Sequence, residues 1–254
     1  MTTTNPHEAT QARIQVGPPG RPQRQRRRRG VPSWALKSAM AITGAIWAAF
    51  VAIHLFGNLK VFQGAAAFNG YAAWLREVFY PFFPKEMVLW ALRVVLVIAL
   101  VIHVAAAAIV WSRGRRARGG HRVKLKGMKS WSAWLMPLTG VALLVFVVVH
   151  VLDLTLGVAP VAPEGFAHPE HGATHAYGNL IASFQRPWSA WFYVLVMVLL
   201  SLHIAKGFAT MAADLGAMGR RWRATLSAIG GLLAVAVLLG NAAIPLAVQM
   251  GWLS

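Results

Sequence analysis

The sequence predicts an all-α integral membrane protein, a bundle of five transmembrane helices. Hydrophobic residues make up 57% of the 254 residues and charged residues only 13%, about half the charged share of an ordinary soluble domain. Five apolar stretches of roughly 20 residues or more are each long enough to cross a hydrocarbon core of ~30 Å as a helix. Cysteine is absent, which excludes disulfides, thiolate metal ligands and a cysteine nucleophile within this chain.

The elements follow in order along the chain. Residues 1–30 are polar and rich in Pro, Gly and Arg, and they lack the apolar core of a secretory signal, so we expect a disordered basic tail. The membrane domain then covers 31–254. Its helices are predicted near 34–57, 86–111, 133–156, 188–212 and 224–248. Aromatic residues at several helix ends are typical of interfacial anchors: Trp34, Trp111, Trp131, Trp134, Trp188 and Trp191.

The distribution of basic residues predicts the orientation. The tail carries seven, the segment 113–129 carries eight, and 220–223 carries three, whereas the loops 58–85 and 157–187 carry few. Because Lys and Arg accumulate in cytoplasmic loops, we expect a cytoplasmic N-terminus, an outside C-terminus and a multi-pass location in the cell membrane of a prokaryote. A net charge of +18 would suggest nucleic acid in a soluble protein, but its clustering between apolar segments predicts contact with membrane lipid and no nucleic acid.

Four histidines lie inside four of the apolar stretches, one in each: His54, His103, His150 and His203. An ionisable residue inside the membrane is expensive and is by default a functional-site hypothesis. The predicted orientation puts His103 and His203 roughly 12–14 Å from the inner boundary, and His54 and His150 near the outer ends of their helices. These two pairs define an inner level and an outer level about 15 Å apart. Each pair joins two helices, as the axial ligands of a haem do, whereas simple helix–helix hydrogen bonding does not predict four histidines matched in depth.

The segments around these histidines resemble a known family. They read TGAIWAAFVAIHLFGNLKVFQGAAAFNGYAAWL from Thr43, LWALRVVLVIALVIHVAAA around His103, VVVHVLDLTLG around His150 and YGNLIASFQRPWSAWFYVLVMVLLSLHIAKG around His203. The element HLxGNLxxFxG around His54 is the most distinctive part, and the segment around His150 has the form HxLDxTxG. Together these segments, over 43–216, resemble the single-chain, five-helix cytochrome b membrane anchor of succinate dehydrogenase and fumarate reductase, the respiratory complex II.

The resemblance implies a function in electron transfer. In that family the four histidines ligate two b haems, one held by the pair His103 and His203 and one by the pair His54 and His150. The chain would anchor a flavoprotein subunit, which oxidises succinate, and an iron–sulfur subunit, both on the cytoplasmic face. Electrons would leave the iron–sulfur subunit and reach a quinone, commonly menaquinone in the single-chain class.

Two cationic side chains are candidates for contacts with the haem carboxylates. Arg93 lies at the outer level, where its partner would be a propionate or Asp153, or where it would snorkel to the headgroups. Lys206 follows His203 by three residues and shares its helix face. It would meet an inner propionate or snorkel to the inner surface.

The quinone site has two predicted locations. An inner site would lie near Ser33 and Trp34, beside the electron donor. An outer site would lie near Glu77, Glu86 and Asp153, of which Asp153 is the best outer acid for the protonation chemistry.

Several alternatives remain open from the residues alone. One histidine pair could hold an iron–sulfur centre, as in Rieske sites. The chain could be the cytochrome b of a hydrogenase or formate dehydrogenase, or a transporter that passes a metal or proton through histidines, although its acids do not lie at the midplane. The outer-loop histidines His168, His171 and His175 could bind a metal, but a Pro- and Gly-rich loop favours a solvated role.

Overall fold

A computed structural model describes residues 30–118, 128–170, 173–216 and 219–254. The predicted tail, 1–30, lies outside these ranges except for Gly30, and so does most of the basic segment that precedes the third predicted helix. The structure of those parts therefore stays a prediction.

Five helices are long and apolar enough to cross a membrane. They are α1 (Ser33–Asn58), α3 (Met87–Arg118), α4 (Met128–Val151), α6 (Pro187–Asp214) and α7 (Arg220–Gln249). No strand occurs in the described ranges, so the predicted all-α, five-helix membrane fold is confirmed. The ends of α1, α4, α6 and α7 differ from the predicted bounds by one to five residues, and α3 continues for about two further turns into the basic segment.

Short helical elements cover the predicted outer end. A 3₁₀ turn (Leu59–Gln63) continues α1, and α2 (Ala65–Glu77) follows it. A π-helical turn (Leu152–Leu156) ends α4, and α5 (Ala176–Gln185) precedes α6. The two short helices were not predicted from the sequence, since neither is long or apolar enough to resemble a membrane span.

The π-helical turn ends at a glycine whose conformation is required. Gly157 has φ 62°, in the left-handed region that favours glycine. A Cβ at this position would lie 2.2 Å from Cδ1 of Phe166. The chain therefore turns away from α4 here through a position that only glycine fills without displacing a neighbour.

The four histidine-bearing helices pack side by side, with α7 outside them. α1 packs against α3, α4 packs against α6, and α1 joins the two helix pairs through α6. α7 carries no histidine and makes its most extensive contact with α6. Gly230 of α7 allows this close approach, because a Cβ there would lie 2.3 Å from Cβ of Phe208.

Several basic helix termini lie at the same end of the bundle. Nζ of Lys37 lies 3.2 Å from Oδ1 of Asp214, which joins the start of α1 to the end of α6. Arg113, near the end of α3, donates to Oγ of Ser33 at 3.1 Å. The start of α7, with Arg220, Arg221 and Arg223, follows directly after α6. The basic residues of α3 and α7 that the structure describes thus lie at one end of the bundle, while the orientation in the membrane stays a prediction.

Candidate functional site: two histidine pairs

The inner level brings together one histidine from α3 and one from α6. The ring centres of His103 and His203 lie 6.5 Å apart, with 59° between the ring planes. Gly44 of α1 and Gly140 of α4 flank the pair, where a Cβ would lie 3.2 Å and 3.8 Å from Cε1 of His103 and His203, respectively. Both rings are therefore packed against backbone that carries no side chain.

Hydrogen bonds fix the ring of His103. Its Nδ1 lies 3.0 Å from the carbonyl oxygen of Met40 and 3.2 Å from Oγ1 of Thr43. A carbonyl oxygen can only accept a hydrogen bond, so the proton is on Nδ1. The other nitrogen, Nε2, then carries a free lone pair.

His203 is held in a corresponding way by α4. Its Nδ1 lies 2.9 Å from Oγ1 of Thr139. That hydroxyl also lies 2.8 Å from the carbonyl oxygen of Leu135, to which it donates its only proton. The hydroxyl must therefore accept from Nδ1–H of His203, which again leaves Nε2 free.

The outer level brings together one histidine from α1 and one from α4. The ring centres of His54 and His150 lie 5.9 Å apart, with the ring planes at 87°. Phe50 stacks on His54 at 5.2 Å, and Phe146 and Tyr193 lie 5.4 Å and 6.1 Å from His150. Nδ1 of His150 is buried and has no hydrogen-bond partner among the described residues, so this ring lacks the hydroxyl contact that both inner rings have.

The geometry of both pairs fits two imidazoles on one metal. With metal–nitrogen bonds of about 2 Å, two imidazoles on opposite sides of an ion have ring centres roughly 6 Å apart. The described part of the chain holds no group of three or more His, Cys, Asp or Glu residues that could bind a metal. Each pair can therefore supply two ligands and no more, which suits a cofactor such as haem that brings its own equatorial ligands.

An apolar opening lies along the part of α3 that carries His103. A cavity of about 360 Å³ lies between α3 and α4 and is lined by Leu100, Val101, Val104, Ala105, Ala108 and Leu144. Two of these positions, Ala105 and Ala108, are small residues, which allow a flat group to approach the backbone of α3.

Asp153 belongs to a buried polar cluster behind the outer pair. Its side chain is 1% exposed, and Oδ1 accepts from Nη2 of Arg186 at 2.7 Å. Its Oδ2 accepts from Oγ of Ser183 at 2.6 Å and from the hydroxyl of Tyr193 at 3.1 Å. We name these four residues the Asp153 cluster, and it ties the π-helical turn to α5 and α6.

The sequence offered Asp153 as a partner for Arg93, and that pairing is wrong. Its cationic partner is Arg186, while the guanidinium of Arg93 lies 4.7 Å from the ring centre of Trp90. The physical reason is that Arg186 immediately precedes Pro187, the first residue of α6, and so reaches the outer end of α4. Lys206 is half-buried on α6, one turn beyond His203, and its predicted contact with a propionate stays a prediction.

The two predicted quinone locations differ in their surroundings. At the inner end, Ser33 accepts from Arg113, and Trp34 is 72% exposed. At the outer end, Glu77 and Glu86 line a cavity of about 280 Å³, and each forms an ion pair, with Lys85 and Arg76, respectively. The Lys85 ammonium donates to Glu77, and this bond raises the pKa of Lys85.

Asp153 does not line that outer cavity, so the three acids of the predicted outer site are split between two places. Of the outer-loop histidines, His168 and His175 are described and His171 lies outside the described residues.

Sequence reasoning missed Thr43, Thr139 and Arg186. A signal for the threonines exists, because a Thr-Gly pair precedes both His54 and His150 by the same eleven residues. Arg186 gave no signal beyond being the basic residue nearest in sequence to the outer end of α6.

Comparison with known proteins identifies the family. No curated protein and no solved structure matches the chain significantly. The family model described as "Succinate dehydrogenase/Fumarate reductase transmembrane subunit" matches residues 112–240, just over half of the 254 residues. This family comprises haem-binding cytochrome b subunits of a membrane-bound oxidoreductase complex. The resemblance inferred from the motifs is thereby confirmed, and the chain belongs to the family of transmembrane subunits of succinate dehydrogenase and fumarate reductase.

Proposed function

We propose that the chain is the membrane-anchor and electron-transfer subunit of a succinate:quinone oxidoreductase. It accepts electrons from an iron–sulfur subunit and delivers them to a quinone, menaquinone being the expected one. A flavoprotein subunit and that iron–sulfur subunit dock on its cytoplasmic face, and the complex lies in the cell membrane of a prokaryote. Membership of the family supports the assignment to an oxidoreductase complex, and the residues described below support the proposed route of the electrons.

The observation that carries the proposal is the presence of two histidine pairs, each contributed by two helices. The ring-centre separations of 6.5 Å and 5.9 Å are both close to the roughly 6 Å expected across one metal. In this proposal His103 and His203 hold an inner b haem, and His54 and His150 hold an outer one. A b haem with two imidazole ligands supplies reversible one-electron transfer.

The spacing of the inner and outer histidine levels suits electron transfer along the bundle. Thr43, which contacts His103, precedes His54 by eleven residues of one continuous helix. At 1.5 Å per residue the two levels are about 16 Å apart along the axis. The aromatic rings of Trp47 and Phe50 lie between them on α1, 5.7 Å from each other.

The charge distribution supports docking of the donor at the inner end. At that end α3 and α7 carry arginines, and Asp214 is the one acid there among the residues that the structure describes. Five of the seven acids in the chain, Glu77, Glu86, Asp153, Glu164 and Glu170, lie in the opposite half. Such an asymmetry corresponds to a cytoplasmic inner end and gives a basic surface for a partner of opposite charge.

The test is a reduced-minus-oxidised visible spectrum of the purified complex, with haem and iron determined on the same sample. The wild type should show a b-type α-band. His103→Ala and His54→Ala should each remove about half of it, because each variant breaks one pair. His168→Ala, a histidine in the outer loop, is the matched control and should leave the band unchanged.

Two results would contradict the proposal. Absence of a b-type band would contradict haem at both pairs, and iron in excess of that bound by the iron–sulfur subunit would then indicate another His-ligated centre. A full band in both His103→Ala and His54→Ala would mean that these pairs do not ligate the haem.

A further inference from the structure

The two helix pairs of the bundle are built on one repeated pattern. On α1 a Thr-Gly pair at Thr43 is followed by His54, and on α4 a Thr-Gly pair at Thr139 is followed by His150, with the same spacing. In each case the threonine contacts the histidine of the next spanning helix, since Thr43 reaches His103 and Thr139 reaches His203. Each of these helices therefore supplies an outer-level histidine and, eleven residues earlier, a hydroxyl at the inner level.

Both hydroxyls are oriented by their own helix. Thr43 donates to the carbonyl oxygen of Ala39 at 2.7 Å, and Thr139 donates to that of Leu135 at 2.8 Å. A hydroxyl has a single proton, so each one presents only lone pairs to the imidazole. Both threonines are buried, at 6% and 0% exposure, which shields this position from bulk water.

We propose that Thr43 and Thr139 are positioning residues of the inner redox centre. They accept Nδ1–H of His103 and His203 and so hold both imidazoles in the tautomer whose Nε2 can bind iron. A hydrogen bond from the distal ring N–H makes an imidazole ligand more basic. The threonines thus tune the inner centre toward the oxidised state and leave the outer pair untouched, where Nδ1 of His150 has no partner in the described part of the chain.

The structure predicts which of the two threonines has the larger effect on the inner centre. His103 keeps a second acceptor, the Met40 carbonyl at 3.0 Å, when Thr43 loses its hydroxyl. For His203 the hydroxyl of Thr139 is the acceptor found among the described residues. Loss of the Thr139 hydroxyl should therefore have the larger effect.

The inference rests on the proposed function, and a potentiometric titration of the haems in the assembled complex tests it. Thr139→Val removes the hydroxyl and keeps the branched shape. It should raise the midpoint potential of one haem component, with about a tenfold change in the relative affinities for ferric and ferrous iron, which is ~59 mV for one electron. Thr43→Val should move the same component less, and Thr139→Ser should restore the wild-type potential.

A matched control separates a specific effect on the haem potential from the general effect of removing a buried hydroxyl. Ser201 lies on α6 two residues from His203, but its hydroxyl lies 2.8 Å from the carbonyl oxygens of both Met197 and Ala234, and its single proton is directed to these backbone acceptors. Ser201→Ala should leave both potentials unchanged.

The outcomes distinguish the two proposals. If Thr139→Val contains both haem components and neither midpoint potential shifts, the role of the threonines is overturned and the proposed function still stands. A wild-type complex without b haem would overturn both. If Thr139→Val does not assemble, Thr43→Val supplies the same readout, and an unmoved potential there, or an equal shift in Ser201→Ala, would overturn the inference.

Discussion

The buried ion pair between Asp153 and Arg186 allows a quantitative prediction. Arg186→Gln removes the cation and leaves the carboxylate of Asp153, which is 1% exposed, without its charged partner. Breaking a buried pair from one side costs about 3–5 kcal/mol. Because the Arg186 side chain is itself 23% exposed, water offsets part of that loss, and we expect a value near the lower end, about 3 kcal/mol.

Arg93→Gln is the matched control for this variant. Both guanidinium groups stack on a tryptophan, at 4.8 Å for Arg186 over Trp188 and 4.7 Å for Arg93 over Trp90. Both variants therefore lose a cation–π contact of about 0.5–1 kcal/mol, and only Arg186→Gln also loses an ion pair. The difference between the two should be at least about 2 kcal/mol.

The assay is unfolding of the purified complex in mixed micelles with increasing denaturing detergent, followed by helical circular dichroism. Arg186→Gln should unfold at a clearly lower detergent fraction than Arg93→Gln. Adding Asp153→Asn to Arg186→Gln should recover part of the loss, since it removes the unpaired charge. Equal destabilisation by Arg186→Gln and Arg93→Gln would refute the reasoning that the pair clamps the end of α4.

Three further predictions concern close contacts, each measured by thermal unfolding of the complex. Gly157→Ala, with φ 62° and a Cβ 2.2 Å from an aromatic carbon, should be destabilised by more than the ~1–2 kcal/mol of its left-handed conformation. Gly165 has φ 80° and no neighbour within 4 Å of an added Cβ, so Gly165→Ala should lose only the stability that the left-handed conformation costs. A larger loss of stability in Gly165→Ala than in Gly157→Ala would contradict this account of the turn at Gly157. Gly230→Ala should cost ~1–3 kcal/mol by separating α6 from α7, whereas Gly231→Ala, with no neighbour within 4 Å, should be neutral or stabilising. Ser201→Ala should cost only about 0.6 kcal/mol, typical of a hydroxyl between membrane helices, and a loss above ~2 kcal/mol would show that its bond to α7 carries more weight.

The spanning helices and the depth of the histidines could be predicted because both follow from counting along the chain. A helix must be about 20 residues long to cross the membrane, and 1.5 Å per residue converts a position into a depth. His103 with His203 and His54 with His150 follow from that conversion, and the structure brings those rings together.

The contacts around the histidines could not be predicted in the same way. A threonine in a membrane helix ordinarily bonds back to its own carbonyl groups, as Thr43 and Thr139 do, so the second contact with a histidine appears only in three dimensions. The partner of Asp153 was missed because a π-helical turn adds a residue to the local turn and changes where its side chains point.

The most direct test of the account is the molar ratio of haem b to this chain in the purified wild-type complex. Quantification of haem by its pyridine complex, against the chain determined by amino-acid analysis, gives that ratio. The account predicts two haems b per chain, one for each histidine pair. A ratio of one or zero would contradict it, since at least one pair would then hold something else.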